Sequence, residues 1–424
     1  MRYIPHTEAS RKEMRESIGI SDVDELFAQV PKEHLLSGNL PLPTYQTEQA
    51  VERTFSTLAA QNKSAADIPF FLGAGAYYHH IPATVDHIIQ RSEFLTAYTP
   101  YQAEVSQGTL TAVFEFQSYI AALTGQDIAN ASMYDGATAV AEAALMARRI
   151  TKRHNIMVID GLHPEYEATV ATYIKQTDAH ITHEGTEDNA CIIVQSPNYY
   201  GEVVDITPYR KICDETGALL IVAVAEIVSL GMLGAPSEAD VVAGEAQSIG
   251  MPLSFGGPYL GFFACKQKYL RQMPGRLCGE TVDADGKRSF TLTLNTREQH
   301  IRREKATSNI CTNEGLCALA FTIHLSLLGE EGFKKLAQLN HSKACQLADK
   351  LEQVNGVTLQ NKTFFNEFTI QTTMDAQELT DKLLQKDIIA GHPLPENKLL
   401  IAATECTTEK DMDKLCAALT EVLS

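Results

Sequence analysis

The chain has 424 residues, a length that suits two or three domains at about 100–200 residues each. Hydrophobic residues make up 44% and charged residues 21%, the balance of a globular protein with a large core and no need of a metal or disulfide staple. Acidic residues outnumber basic ones 53 to 35, and the net charge of −18 excludes general affinity for nucleic acid or an anionic membrane, which needs clustered Lys and Arg. Nine cysteines are scattered without a CxxC pair, so no zinc framework or thioredoxin-type motif is expected, and reduced core thiols in a cytoplasmic protein are. The first six residues lack an apolar signal core, and the longest apolar stretch, 217–233, holds Glu226 and is too short to span a membrane.

Residues 1–66 read as a helical arm. Ser10 with Glu13 forms a capping-box pattern, and Ser21 precedes Val23, Leu26, Phe27 and Val30 at helical spacing. Leu40-Pro41-Leu42-Pro43 is a connector, and Val51, Phe55 and Leu58 mark a further helix face. From 67 to 110 the pattern is irregular, aromatic and rich in Gly, Tyr and His, the character of a functional loop region.

An α/β alternation then begins. Helices are expected at 136–153, 165–175 and 207–216, and strands at 156–159, 191–194, 219–225, 240–243, 260–264 and 290–294. Run 219–225 is apolar throughout, as in a strand covered on both faces. This rhythm implies a mostly parallel sheet with helices on both sides in a large domain, 67–328. A long helix at 313–328 leads to a small C-terminal α/β domain, 329–424. Its expected elements are helix 333–354, strands 357–360 and 365–372, helix 375–385, strand 398–403 and helix 409–423.

Several segments carry candidate chemistry. The run 71–77 holds Gly73-Ala74-Gly75 but lacks the third glycine and the strand–helix context of a dinucleotide site, so it reads as a tight loop and no NAD site is expected. Tyr134-Asp135-Gly136-Ala137-Thr138 opens a strong helix, where free N–H groups suit a phosphate, although Asp135 can cap the helix instead. His163 follows a strand end, where ligands bind in open α/β sheets, and is otherwise a plain loop histidine; His79-His80 carries the same two readings. Arg148, Arg149, Lys152 and Arg153 read as a solvated helix end, and Phe255-Gly256-Gly257-Pro258 as a structural loop. The cationic run Arg302, Arg303 and Lys305 faces a ligand or solvent.

The motifs assemble into a resemblance. IPHT (4–7), SDVDELF (21–27), FLGAGAYYHHIP (71–82), TAYTPYQAEVSQGTL (96–110), YDGATA (134–139), PLSFGGPYLGFFA (252–264) and KATSNICTN (305–313) occur in order and resemble the glycine cleavage system P protein, subunit 1 or α half, over essentially the whole chain. The resemblance implies a fold-type I pyridoxal-phosphate (PLP) transferase fold, aspartate aminotransferase-like. It also implies glycine decarboxylation, with PLP as electron sink, and transfer of the aminomethyl group to the lipoyl arm of H protein. T protein and lipoamide dehydrogenase are the expected functional neighbours.

Matched to the PLP-bearing half of the family, this sequence departs where the cofactor is held. Ala223 stands at the aspartate position and Gln247 at the lysine position. The chain is therefore expected to carry no PLP and no metal, and to have no catalytic residue acting alone. A PLP-bearing β subunit would supply the cofactor. Residues expected to complete that partner's site are Tyr98, Thr99, Tyr101, Gln102, Gln107 and Gly108, with Gly73, Gly75 and Tyr77 as a wall beside them. Gly136, Ala137, Thr138 and His163 are expected to be a remnant cofactor pocket. The competing readings are a silent scaffold of the same fold and a self-sufficient PLP enzyme with an unusual lysine.

Overall fold

The structure is a computed structural model that describes residues 5–424 apart from Asn39 and Glu187; Ile4 of the IPHT motif lies outside the described residues. The chain divides into two units, residues 1–63 and 64–424.

The first unit holds two α-helices, Glu8–Ile18 and Glu48–Ala59, and no described residue in it is buried. Local capping differs from the sequence expectation. Ser10 lies inside the first helix, and Thr7 is the cap, its hydroxyl accepting from Ser10 N at 3.2 Å. The run after Ser21 forms only a short 3-10 turn, Val23–Phe27, capped by Asp22, with Glu25 Oε1 accepting from Ser21 N and Asp22 N. Its apolar residues remain exposed, including Leu26 and Phe27.

The second unit contains thirteen strands among the described residues. They are β1 (Ile128–Ala129), β2 (Asn155–Val158), β3 (His180–Thr182), β4 (Asn189–Gln195), β5 (Leu219–Val224), β6 (Val241–Glu245), β7 (Gly261–Cys265), β8 (Leu277–Val282), β9 (Arg288–Thr293), β10 (Val357–Leu359), β11 (Glu367–Thr372), β12 (His392–Leu394) and β13 (Lys398–Ala402). Seven form one sheet in the order β1-β7-β6-β5-β4-β2-β3. From β6 through β3 the strands are parallel, while β7 runs antiparallel to both β6 and β1. Strands β4 to β7 are buried at every position, which explains their unbroken apolar runs.

One face of this sheet is covered by Gly136–Thr151, whose Ala139, Ala143, Ala144 and Ala147 let the helix pack close. The other face meets Phe116, Ile120, Phe321 and Leu325 from two further helices, Gln107–Thr124 and Gly315–Leu351. The second of these is two helices that meet at Gly329, where φ is +60° and ψ −179°, close to the division expected between 313–328 and 333–354. By length and composition it could cross a membrane, but half of its apolar window is buried inside the protein. A four-stranded antiparallel sheet, β10-β11-β13-β12, packs its own core of Leu347, Phe368, Leu399, Leu415 and Leu419. The hairpin β8–β9 forms a third sheet.

The 67–110 region is less irregular than its composition suggests. It contains the helix Ala83–Ile89, and Gln107 and Gly108 open the helix Gln107–Thr124 rather than lying in a loop. Sequence reading missed that helix, although its buried residues Leu110, Val113, Phe116, Gln117, Ile120 and Thr124 fall on one face.

Candidate functional site

At the carboxyl edge of the parallel sheet, β-register sets Gln195, Ala223 and Ala243 side by side on β4, β5 and β6. Gln195 turns away from this row toward the end of β2, its Oε1 accepting from His163 N at 2.8 Å and its Nε2 donating to Pro197 O at 3.1 Å. His163 caps the helix Pro164–Ile174 through Nδ1, which accepts from Glu165 N at 3.2 Å. Its Nε2 therefore carries the hydrogen, which it donates to Ala74 O at 3.1 Å. The ring lies against Tyr166 and Tyr199, with centroids 5.3 and 4.9 Å away. Burial lowers its pKa and keeps it neutral.

The loop 73–77 is thus placed against His163. Gly73 has φ +67°, and an added Cβ would overlap Glu367 Oε1. Ala74 N donates to Glu367 Oε1, and the buried Tyr77 hydroxyl donates to Oε2 at 2.9 Å. Burial pushes the Glu367 carboxyl up to about 7 despite these bonds. Gly75 has φ +87°, with the His163 ring edge 3.8 Å from where a Cβ would stand. The bonds of this loop run to His163 and Glu367, which it walls.

Two of the N–H donors that open Gly136–Thr151, those of Gly136 and Thr138, are taken from within. Asp135 Oδ1 accepts from Thr138 N at 2.7 Å in a capping box. Glu245 Oε2 accepts from Gly136 N at 2.9 Å, while Oε1 accepts from Gln247 N at 3.0 Å and Leu260 N at 2.8 Å. Gly136 is required there because a Cβ would overlap the Tyr166 hydroxyl. The Ala223 side chain is a buried methyl with no charge to offer a pyridine nitrogen. Gln247 is buried too, and its Nε2 donates to Met251 O at 2.6 Å. Pyridoxal phosphate needs an amine, an acid and free phosphate donors, and these residues do not fit it.

The second group of expected residues is exposed. Tyr98 and Tyr101 are 80% and 69% accessible, and Gln102 is exposed as well. Thr99 Oγ1 accepts from Arg276 Nη1 at 3.1 Å, and the same nitrogen donates to Thr312 Oγ1 at 2.9 Å. Arg276 is buried beside Glu298, 3.8 Å away, and its guanidinium sits 6.0 Å from the Tyr101 ring centre. It ties the aromatic loop to the KATSNICTN segment. A cavity of about 250 Å³ opens alongside, lined in part by Phe94, Tyr98, Val113, Thr312 and Asn313. Gln107 is committed to its own chain: its Nε2 donates to Ala103 O and Phe290 O, both at 2.8 Å, and its Oε1 accepts from Phe290 N at 2.9 Å. Gly108 meets nothing that a methyl group would strike. Sequence reasoning missed Arg276, Glu245 and Glu367, since a single charged residue carries no spacing signal. Among the described residues no group of three or more His, Cys, Asp or Glu could hold a metal ion.

A seven-stranded, mostly parallel sheet flanked by helices, with a smaller sheet after it, defines a protein of the fold-type I PLP-transferase class. Mouse CSAD shares the fold at a TM-score of 0.69 and 12% identity, over 95% of this chain and 92% of that one. A crystal structure of glycine decarboxylase (P-protein) of the glycine cleavage system, in inhibitor-bound form, matches over 100% of both chains with a TM-score of 0.94 and 43% identity. The "probable glycine dehydrogenase (decarboxylating) subunit 1" of Azorhizobium caulinodans is 54% identical and that of Parvibaculum lavamentivorans 53%, each over 100% of both chains. The model of the family "Glycine cleavage system P-protein" matches residues 1–419, and the chain belongs to that family.

Proposed function

We propose that this chain is the α subunit of a two-subunit glycine decarboxylase, and that it completes the active site of a PLP-bearing β subunit rather than holding the cofactor itself. The observation that carries this reading is the pairing of full-length family membership with a buried methyl at Ala223 and a buried amide at Gln247. The polar groups that would grip the cofactor are missing, and their places are packed shut. The two competing readings, a self-sufficient PLP enzyme and a silent scaffold, have no comparable support: the first lacks its lysine, and the second leaves the exposed aromatic loop without a purpose.

In this reading the holoenzyme decarboxylates glycine and passes the aminomethyl group to lipoylated H protein. T protein then unloads the lipoyl arm, and lipoamide dehydrogenase reoxidises it. Tyr98, Thr99, Tyr101 and Gln102 face the partner, and the Arg276 guanidinium holds Thr99 so that its own hydrogen is free to donate. Gln107 supports this loop from within its chain, and Gly108 has no assigned contact. Gly73, Gly75 and Tyr77 shape the inner wall against Glu367, and Gly136, Ala137, Thr138 and His163 are the remnant of the shared pocket. The exposed apolar residues of the first unit, such as Phe27, Phe55 and Leu58, suit burial against a partner subunit. Obligate interfaces of this kind reach roughly 2,000–5,000 Å². We place the protein in the cytoplasm, and the boundary between a large and a small domain at the Gly329 break.

The test is co-purification with a PLP-bearing subunit, and then glycine–bicarbonate exchange in the presence of H protein. Activity only in the mixture is expected. Two independent species in sedimentation at micromolar concentration, or exchange by this chain alone, would refute the assignment.

A further inference from the structure

The start of the helix Gly136–Thr151 has the anatomy of an anion site: N–H donors at the carboxyl edge of a parallel sheet, a dipole that favours negative charge, and a glycine that lets an occupant come close. Most helix starts share some of this, so the feature alone decides nothing. What fills it does. Glu245, the last residue of β6, is buried and spends both carboxylate oxygens on three backbone donors, Gly136 N, Gln247 N and Leu260 N, at 2.8–3.0 Å. Asp135 takes Thr138 N, and the Tyr166 hydroxyl closes over Gly136.

We infer that Glu245 is the chain's own substitute for a ligand's phosphate, and that it closes this helix start to anionic cofactors. An incoming phosphate would find the Gly136, Thr138, Gln247 and Leu260 donors taken and Asp135 repelling it, joined by Glu245 above the pKa of about 7 to which burial pushes that carboxyl. The carboxylate is supplied covalently by β6, so the site keeps its anion without drawing on any ligand concentration. Closure is therefore a property of Glu245 in addition to the absent lysine and acid. Anion binding at this helix start is independent of the glycine decarboxylase assignment; loss of activity in the reconstituted enzyme would neither support nor oppose it.

The experiment measures melting of the full chain in millimolar inorganic phosphate against chloride at matched ionic strength. Glu245→Ala removes the carboxylate and opens room, leaving buried donors unpaired. Its melting temperature should fall by about 3–6 °C, and phosphate should restore a substantial part of the loss. Glu245→Gln keeps the side chain's bulk, so it should lose stability and gain nothing from phosphate beyond the chloride control. Wild type should be indifferent to the anion. If Glu245→Ala does not fold in chloride, its soluble yield on refolding in phosphate against chloride decides the same point. The inference is overturned if Glu245→Ala gains no more from phosphate than from chloride, if it melts like wild type, or if wild type is stabilised by phosphate as much as the variant.

Discussion

His79 Nε2 stands 3.1 Å from Glu226 Oε2, and both side chains are buried. The other ring nitrogen, Nδ1, is 2.9 Å from Glu405 Oε2. Glu226 lies just past β5 of the large sheet and Glu405 just past β13 of the small one, so a single imidazole joins the two sheets. Ser248 Oγ and Val228 N complete the shell of Glu226, at 2.8 and 2.9 Å. Asn340 Nδ2 and His80 N do the same for Glu405, at 3.0 and 2.7 Å. Burial alone would lower the pKa of His79, but the two carboxylates override it and raise it to about 10. For Glu405, burial is likewise outweighed, by the bonds from His79 and His80, and its pKa falls to about 2.

These shifts fix the sign of the pH dependence. A raised histidine pKa gives stability that is complete below its ordinary value of 6.5 and is lost as pH climbs toward 10. A lowered carboxylate pKa gives stability that is complete above 4.5 and is lost as pH falls toward 2. The neighbouring His324, held down to about 4 by burial, stays neutral over the alkaline half of that range. We expect His79→Gln to cost about 3–5 kcal/mol near pH 6, because two buried carboxylates lose their counter-charge. The loss should shrink toward pH 10. Chemical denaturation at several pH values checks this, and a loss independent of pH would contradict the buried imidazolium.

Glu367 works in the opposite sense. Its carboxyl is raised by burial to about 7, so stability should decline as pH rises from 4.5 to 7 and the charge is forced on. Glu367→Gln removes the titrating group but can still pair with Tyr77 and Ala74. The variant should make that segment of the pH–stability curve shallower, leaving the part due to Glu245, which burial also raises to about 7, while the alkaline segment due to His79 persists.

Two glycines should respond differently to alanine. Gly73→Ala would strike Glu367 in a backbone conformation, φ +67°, that resists a side chain, and should cost several kcal/mol. Gly108→Ala sits in the first turn of a helix with open space around it and should gain up to about 1 kcal/mol. Melting curves of the two variants decide this directly.

Tyr101→Phe removes one hydroxyl from an exposed ring and should leave melting and subunit assembly unchanged. If that hydroxyl is aimed at charge developing in the partner's site, turnover of the reconstituted enzyme falls by about 10²–10³. Wild-type turnover with normal assembly would remove Tyr101 from the active site.

Gln247→Lys, alone or with Ala223→Asp, should not yield a chain that decarboxylates glycine unaided. The new lysine would replace a buried amide bonded to Met251 O. A borohydride-fixable absorption band with turnover in the single variant would contradict this.

The strands β4 to β7 and the helices Thr207–Thr216 and Glu409–Leu423 were legible from composition, because burial on both faces demands unbroken apolar runs and an exposed helix demands a stripe. That positions 223 and 247 hold a methyl and an amide is likewise in the sequence, while their match to a cofactor's acid and lysine is what the family resemblance implies. Tertiary structure decided what the remaining polar residues do. Glu245, Glu367 and His79 are separated from their partners by 109, 293 and 326 residues, reading Gly136, Ala74 and Glu405 in turn. No local pattern encodes such pairings, for they exist only once sheet register and chain crossings bring distant strand ends together. The helix Gln107–Thr124 was missed although its buried positions, Leu110, Val113, Phe116, Gln117, Ile120 and Thr124, recur at helical spacing opposite exposed Glu115 and Ser118.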